Sequence, residues 1–234
     1  MTVFTEEVAD APAAHAVGDD YVTAVGKVVR SHVRNELAGA TAFDEPAIRL
    51  APTPKEKWLA CRIAMEEYGH HLKFQRLASE LGVEDAHSGR ALSVFDYELT
   101  SWTAFVVLKA LVDEAEVVLM EELLATSYLP LRKLVARLLP EEHFHVAFGK
   151  AHTRELVADG ATIPLVQQAV DDLVRFTVPF FGRSVSSNNE AFRRWGVKHR
   201  TNDESRAVWA GRCRHFVEGE LGLRFPKVEP HWNG

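Results

Sequence analysis

The sequence predicts an all-α protein built around a four-helix bundle, with further helices at its C-terminal end. Three observations carry that reading. Apolar residues recur at helical spacing through most of the 234 residues. Alternating β-branched runs are lacking, and no Asn-Gly or Asp-Gly dipeptide sits between two such runs as a hairpin would require. Four of the helical stripes each contain an acidic residue in line with the apolar ones.

The first helix is expected from about Asp20 to Ala40, with the stripe Val22, Val25, Val29, Val33 and then Glu36. A loop, Thr41 to Ala51, should follow. The second helix has Thr53 as N-cap, Pro54 at the first helical position and Glu56 three residues after the cap, the pattern of a capping box. Its stripe is Leu59, Ile63, Glu67, His70, Phe74, Leu77, Leu81, and Gly82 is a natural left-handed terminator. The loop Val83 to Leu99 is long for a helix–helix connection, so it should cross the bundle or cover something.

The third helix is expected from Thr100 to Ser127, with Trp102, Val106, Ala110, Asp113, Val117, Met120 and Leu124 in line. The fourth, Leu131 to Ala158, carries Leu131, Val135, Leu138, Glu142, His145, Gly149 and His152, with Pro140 expected to kink or bulge it. A fifth helix opens at Thr162 or Pro164 and ends near Phe180-Phe181-Gly182. A polar loop from Arg183 to Asn189, a short helix from Ala191 to Lys198, a last helix from Asn202 to Glu220 and an extended tail from Leu221 complete the chain. One domain over 1–234 is expected, with its core bundle at about 20–158, C-terminal helices at about 162–220 and the tail at 221–234. The first two and the next two helices resemble a duplication, each half supplying a carboxylate helix and then a Glu-x-x-His helix.

Composition narrows the function. A hydrophobic fraction of 47% supports a sizeable core, and a net charge of −6 argues against nucleic acid as the main partner. Two cysteines, Cys61 and Cys213, make no disulfide framework and read as reduced thiols. The acidic stretch from Met1 to Asp20 has no secretory pattern, and no apolar run approaches about 18 residues, so a cytoplasmic protein without a membrane span is expected.

The chemistry lies in two pairs, Glu67-Tyr68-Gly69-His70 and Glu142-His143-Phe144-His145. Three residues is just under one helical turn, so each glutamate and histidine project together from one face. By spacing alone roughly one such pair would arise by chance; their position on apolar stripes is what distinguishes them. An ionised acid in such a stripe is costly unless paired or bound to a cation, and here Glu36, Glu67, Asp113 and Glu142 occupy four stripes. Two Glu-x-x-His helices and two further carboxylate helices form the ligand set of a di-iron carboxylate bundle. Four carboxylates and two imidazoles suit iron, or manganese, better than zinc.

Neighbouring residues have competing readings. Glu66 and Glu141 are either acceptors for the ligand histidines' free N–H groups or surface residues. Glu116 is the alternative to Asp113 on the third helix. Glu114, Glu121 and Glu122 read as a solvated face, and His71, His143 and His152 as ordinary polar positions. Tyr68, Phe74, Phe144 and Phe148 read as core packing or as pocket lining.

These residues, in this order, resemble the catalytic oxygenase (A) subunit of the multicomponent phenylacetyl-CoA epoxidase, in the phenylacetic acid catabolism group. The likeness runs from about Val25 to Pro230. It includes His32 with Glu36-Leu37-Ala38-Gly39, Ala51-Pro52-Thr53, Glu67 with His70, and His87-Ser88-Gly89-Arg90-Ala91. It continues through Leu111-Val112-Asp113, Glu141 to His145, Phe181-Gly182, Arg194-Trp195 with Lys198, Asn202-Asp203-Glu204, and Leu221-Gly222-Leu223 with Pro226. The resemblance implies a ferritin-like fold in which Glu36, Glu67, His70, Asp113, Glu142 and His145 bind two irons. It implies O2-dependent epoxidation of an aryl-acyl-CoA thioester, electrons from a separate reductase, and a structural paralogue as partner. The chain departs from the family in a shorter loop after Gly82 and a shorter C-terminus, in Pro140, and in Ile63 beside Arg62 where the family carries a lysine.

Two other readings stand beside this one. The first is a stand-alone di-iron oxygenase or oxidase acting on a non-CoA metabolite. The second is a ferritin-like iron-binding storage or scaffold protein. His87 and Arg90 read as structuring the long loop or as contacts to an anionic substrate.

Overall fold

Four long helices lie side by side and two shorter ones pack across them, all in a computed structural model that describes residues 3–234. A short helix α1 (Ala11–Val17), not expected from the sequence, is capped by Asp10, whose carboxylate accepts from the Ala13 amide at 2.9 Å. It leads directly into α2 (Asp19–Gly39). The loop expected over Thr41 to Ala51 is instead helical. A π-helical turn, Ala40–Asp44, continues α2 into α3 (Glu45–Leu50). That widened turn points Asp44 inward, where it is 1% exposed, and π-turns of this kind recur where a side chain must be re-aimed.

Helix α4 (Pro54–Glu80) starts at Thr53, whose hydroxyl accepts from the Glu56 amide at 3.4 Å. It ends as expected at Gly82, which has φ of +74°, a conformation that costs any residue with a Cβ. The long loop after it does cover something. Arg30 and Arg34 donate to the Glu84 and Ser88 carbonyls, and the Leu92 amide donates to Asn35. The loop is thereby drawn across α2, and Phe95, in a 3-10 turn over Ser93–Asp96, packs on Phe43.

Helix α5 (Trp102–Leu123) is capped by Ser101 and is buried on nearly every side. The expectation of a solvated face at Glu114, Glu121 and Glu122 therefore fails for two of the three. Glu114 is 4% exposed and pairs with Lys150 and Arg212, and Glu122, 5% exposed, accepts from the His199 and Arg200 amides. Those partners lie on segments far along the chain that cover the outside of α5. Helix α6 (Leu129–Ala158) runs through Pro140 with no bulge and remains α-helical throughout. Pro140 is exposed, so water can satisfy the carbonyl its ring leaves without a partner. At Gly149 a Cβ would collide with the Ala110 backbone nitrogen, so α6 lies directly against the α5 main chain at this point.

Helix α7 (Ile163–Thr177) presents one apolar side to α5, and the chain then turns through Val178–Phe181 to Gly182. The short helix α8 (Ser187–Arg194) begins earlier than expected because Ser186 caps it, accepting from the Asn189 amide at 3.2 Å. Helix α9 (Asn202–Arg214) opens with a complete capping box between Thr201 and Glu204 and continues as a π-turn, His215–Glu220. Trp209, fully buried, ties α9 to α5 by donating to the Leu111 carbonyl at 2.8 Å.

The apolar core falls into two main bodies. One gathers α5, α7 and α9; the other gathers α1, α2, α4 and the start of α6. The buried acids and histidines lie among α2, α4, α5 and α6. Among the described residues there is no β-strand beyond one bridge, Val8 to Tyr128, and no helix is long and apolar enough to cross a membrane. The architecture is an all-α, ferritin-like bundle with added C-terminal helices.

Candidate metal centre

Each of the four long helices contributes where its apolar stripe is interrupted: Glu36 from α2, Glu67 and His70 from α4, Asp113 from α5, Glu142 and His145 from α6. All six are buried. Their donor atoms gather as two groups, Glu36, Glu67, His70 and Glu142, and Glu67, Asp113, Glu142 and His145, with the atoms of each within 4.8 Å of one another. The groups share Glu67 and Glu142. Each of these two acids turns one oxygen to each histidine. Glu67 reaches His70 Nδ1 with Oε2 at 3.7 Å and His145 Nδ1 with Oε1 at 3.1 Å. Glu142 does the same with Oε1 at 2.8 Å and Oε2 at 3.6 Å. Glu67 and Glu142 are therefore the two residues that could serve both groups if each held a cation.

The histidines are aimed from behind. His70 Nε2 lies 2.7 Å from Glu141 Oε2, and His145 Nε2 lies 2.9 Å from Glu66 Oε2. The exchange is reciprocal: α6 holds the α4 histidine and α4 holds the α6 histidine. With the Nε2 proton given to a carboxylate, the Nδ1 lone pair of each ring faces the cluster. Glu66 and Glu141 are thus acceptors and not merely surface residues.

A cation fits the hydrogen-bonding pattern of the cluster. His70 Nδ1, His145 Nδ1, Glu36 Oε1, Asp113 Oδ2 and Glu142 Oε1 are buried, yet none makes a well-formed hydrogen bond. Buried polar atoms rarely remain so without a reason. Protonation also reflects the crowding. Burial pushes Glu36 up to about 7 and Asp113 well above its ordinary value. For Glu142 burial pushes the same way, but His145 and His70 outweigh it and hold the acid at about 2. Burial opposes charge on His70 as well, yet its carboxylate neighbours raise it well above an ordinary imidazole. A divalent cation held by these groups would displace such protons.

Lys109, one turn before Asp113, is a residue the sequence reading missed. It is 2% exposed, and its ammonium lies 2.7 Å from Asp44, 3.1 Å from Glu67 and 3.0 Å from Asp113. Burial brings Asp44 up to about 6 even beside this lysine. The signal was present: a lysine inside Phe105 to Val112, an otherwise apolar run, must find a buried acid. The position one turn before the first Glu-x-x-His pair is Ile63, fully buried, so the cation beside these acids comes from α5. Charge then balances for two divalent ions. With all of them ionised, Glu36, Glu67, Asp113, Glu142 and Asp44 would carry five negative charges, which Lys109 and two divalent ions would match with five positive.

Glu116 does not join either group. It lies 3.0 Å from His32 Nδ1, which also stands 3.6 Å from Glu36 Oε1 and stacks on Phe74. Burial opposes the charged form of His32, but Glu116 and Glu36 raise its pKa to about 9. Of the remaining candidates, His71 bonds the Val33 carbonyl, His143 is exposed, and His152 bonds the Phe148 carbonyl. Tyr68 donates to Glu45, while Phe74 and Phe148 are core. His87 meets Gln75, and Arg90 pairs with Asp96, so both serve the long loop. Cys61 and Cys213 are free thiols.

Beside the acids is a cavity lined on its apolar side by Phe43, Phe95, Leu108, Val112 and Phe180. It shares Asn35, Glu116 and Phe180 with an outer pocket of about 350 Å³ whose rim carries Lys27, Arg30, Arg34 and Lys198. This cavity is walled by the long loop and by the turn after α7, and Tyr68, Phe74, Phe144 and Phe148, the aromatics offered as pocket lining, do not line it.

Two comparisons place the chain among known proteins. The model of the family described as phenylacetic acid catabolic protein matches residues 2–234. A curated relative, the A subunit of 1,2-phenylacetyl-CoA epoxidase of Escherichia coli (strain K12), is 27% identical over 226 residues, 92% of this chain and 72% of that protein. With a four-helix centre of shared acids and histidines and a family match over nearly its whole length, the chain belongs to the phenylacetic acid catabolic protein family.

Proposed function

We propose that this chain is the catalytic subunit of a di-iron oxygenase that inserts one oxygen atom of O2 into the aromatic ring of an acyl-CoA thioester. The observation that carries the proposal is the sharing of Glu67 and Glu142 between two donor groups. Glu36 and His70 complete one ion site; Asp113 and His145 complete the other. The oxygen-rich donor set favours iron, with manganese the next choice. The reaction class follows that of the relative, an epoxidase subunit named for phenylacetyl-CoA.

When bound, the two ferrous ions would supply the electrons and Lewis acidity that activate O2. The chain's own residues do the rest. Glu66 and Glu141 fix the tautomer of both imidazoles, so that each offers Nδ1. Lys109 holds one oxygen each of Glu67 and Asp113 while Asp44 balances its charge. Phe43, Phe95 and Phe180 keep the adjoining cavity dry and offer faces and edges to a flat ring. Lys27, Arg30, Arg34 and Lys198 suit the phosphates of a CoA tail at the outer mouth.

Iron-loaded protein supplied with a reductase, NAD(P)H, O2 and phenylacetyl-CoA should convert the thioester to a product heavier by one oxygen, detected by mass spectrometry. Oxygen consumption with no labelled oxygen in the thioester would contradict the substrate assignment. Non-CoA aromatic acids in the same assay test the stand-alone oxygenase reading. A partner homologous to this chain but lacking the six ligands is the expected companion subunit.

A further inference from the structure

The cavity beside the acids is too small for the aromatic ring it is read as receiving. It holds about 50 Å³, whereas a cavity that admits benzene holds about 150 Å³. A wall must therefore move before a ring can stand there. Of the apolar walls, Phe43, Leu108, Val112 and Phe180 are buried, while Phe95 is partly exposed and rides on the long loop between α4 and α5. Its ring packs on Phe43, with centroids 5.6 Å apart. It also fills a notch at Gly39, where a Cβ would stand 3.4 Å from Phe95 Cε1.

The same stretch of loop divides the cavity from the outer pocket. Leu92 lines the outer pocket and Phe95, three residues on, lines the cavity, while Asn35 and Phe180 border both. Polar contacts from α2 hold the loop over this neck. Arg30 donates to the Glu84 carbonyl at 3.0 Å, Arg34 donates to the Ser88 carbonyl at 2.6 Å, and Asn35 accepts from the Leu92 amide at 3.3 Å. The bond at the neck itself is the longest of the three. Both guanidiniums also keep a buried Nε–H without a partner, so the clasp is not saturated. The loop enters through Gly82 and Asp85, at φ of +74° and +50°. Asp85 is the one non-glycine residue with positive φ among the described residues, and such backbone clusters in segments that switch between arrangements.

We propose that Phe95 is the gate of the ring cavity, swung aside by a lid of residues 83–95 that Arg30, Arg34 and Asn35 clasp to α2. Val94, 1% exposed in the main core, stays seated as the pivot. The proposal rests on the reading of this cavity as the site of the substrate ring. With Phe95 out of its notch, cavity and outer pocket join, and a thioester can lie with its tail in the outer pocket and its ring beside the acids. Closure then shuts water out of the cavity. Phe95 is the residue the ring must pass; Asn35 acts through the loop, as a positioning residue.

The test uses para-fluorotoluene, a ring without a tail, and the full chain as purified without added metal. Fluorine NMR of the exchanging probe gives its entry and exit rates. Wild type is compared with N35A, which loosens the clasp at the neck, and with F95A, which removes the gate. Entry should be about tenfold faster or more in both variants. In N35A entry and exit should rise together, leaving affinity within about twofold, and hydrogen exchange from Leu92 to Asp96 should rise with them. A side chain that only filled space would change affinity and leave that exchange as it was. No binding of the probe by wild type, or one entry rate for all three proteins, overturns the proposal. Should F95A fail to fold, N35A alone decides. Phenylacetyl-CoA separates the two readings. If it does not displace the probe while the entry rates differ as expected, the acyl-CoA reading fails and the gate stands. Displacement with equal entry rates contradicts the gate alone.

Discussion

Replacing Lys109 by Met keeps the bulk of the side chain and removes its charge. The ammonium is buried, donates to Glu67 and forms ion pairs with Asp44 and Asp113, all within 2.7 to 3.1 Å. Removing one member of a buried ion pair costs about 3 kcal/mol or more, because the orphaned charge remains behind. Here the orphans have an escape. Burial already raises Asp44 to about 6 and Asp113 well above its ordinary value, so protons can replace the lysine below neutral pH. Lys109→Met should therefore lower the stability of the metal-free protein by about 3 kcal/mol at pH 7.5 and by much less at pH 5.5. For a chain of this size that corresponds to a drop of roughly 6–12 °C in melting temperature at the higher pH. Urea unfolding at both pH values measures it. Adding Asp44→Leu should restore most of the loss, since the unpaired acid is then gone too. A loss under about 0.5 kcal/mol at pH 7.5, or a double variant no better than K109M, would refute the idea that this lysine balances the buried acids.

Three further outcomes follow from the same geometry. The metal-free protein should lose stability as pH rises from 5 to 8. Between those values folded Glu36, at about 7 instead of 4.5, and the raised histidines hold protons that the unfolded chain has released. Glu36 alone accounts for about 3 kcal/mol by pH 8, read from urea titrations across the range, and metal binding should reverse the trend because it displaces those protons. Glu141→Gln and Glu66→Gln should each weaken metal binding about 10- to 100-fold in competition with a chelator while the fold, followed by circular dichroism, persists. Gly149→Ala should destabilise the protein by about 1–3 kcal/mol in thermal unfolding despite alanine's better helix propensity, because its methyl meets the α5 backbone.

What could be read in the sequence, and what could not, divides along a physical line. Features set by local chemistry were legible: Thr53 and Gly82 bracket α4 because capping and left-handed backbone are local requirements. The six acids and histidines were legible because each interrupts an apolar stripe on its own helix, and the bundle brings those interruptions together. Features set by distant segments were not. Glu114 and Glu122 looked solvated because nothing near them in sequence tells that Arg212 and the His199–Arg200 amides will cover them. The segment from Thr41 to Ala51 looked like a loop because a π-turn leaves no regular stripe, although Asp44 there becomes the counter-ion of Lys109. Pro140 suggested a kink, but on the exposed side of α6 it is accommodated without a break.

Metal analysis of site variants tests most directly whether a pair of ions shares Glu67 and Glu142. Inductively coupled plasma mass spectrometry of iron-reconstituted protein should find about two metal ions per chain in the wild type. His70→Ala, which removes a donor from one group, should leave about one, while Glu67→Ala, common to both groups, should leave almost none. A wild type holding no iron, or a Glu67→Ala variant that still holds two ions, would contradict it.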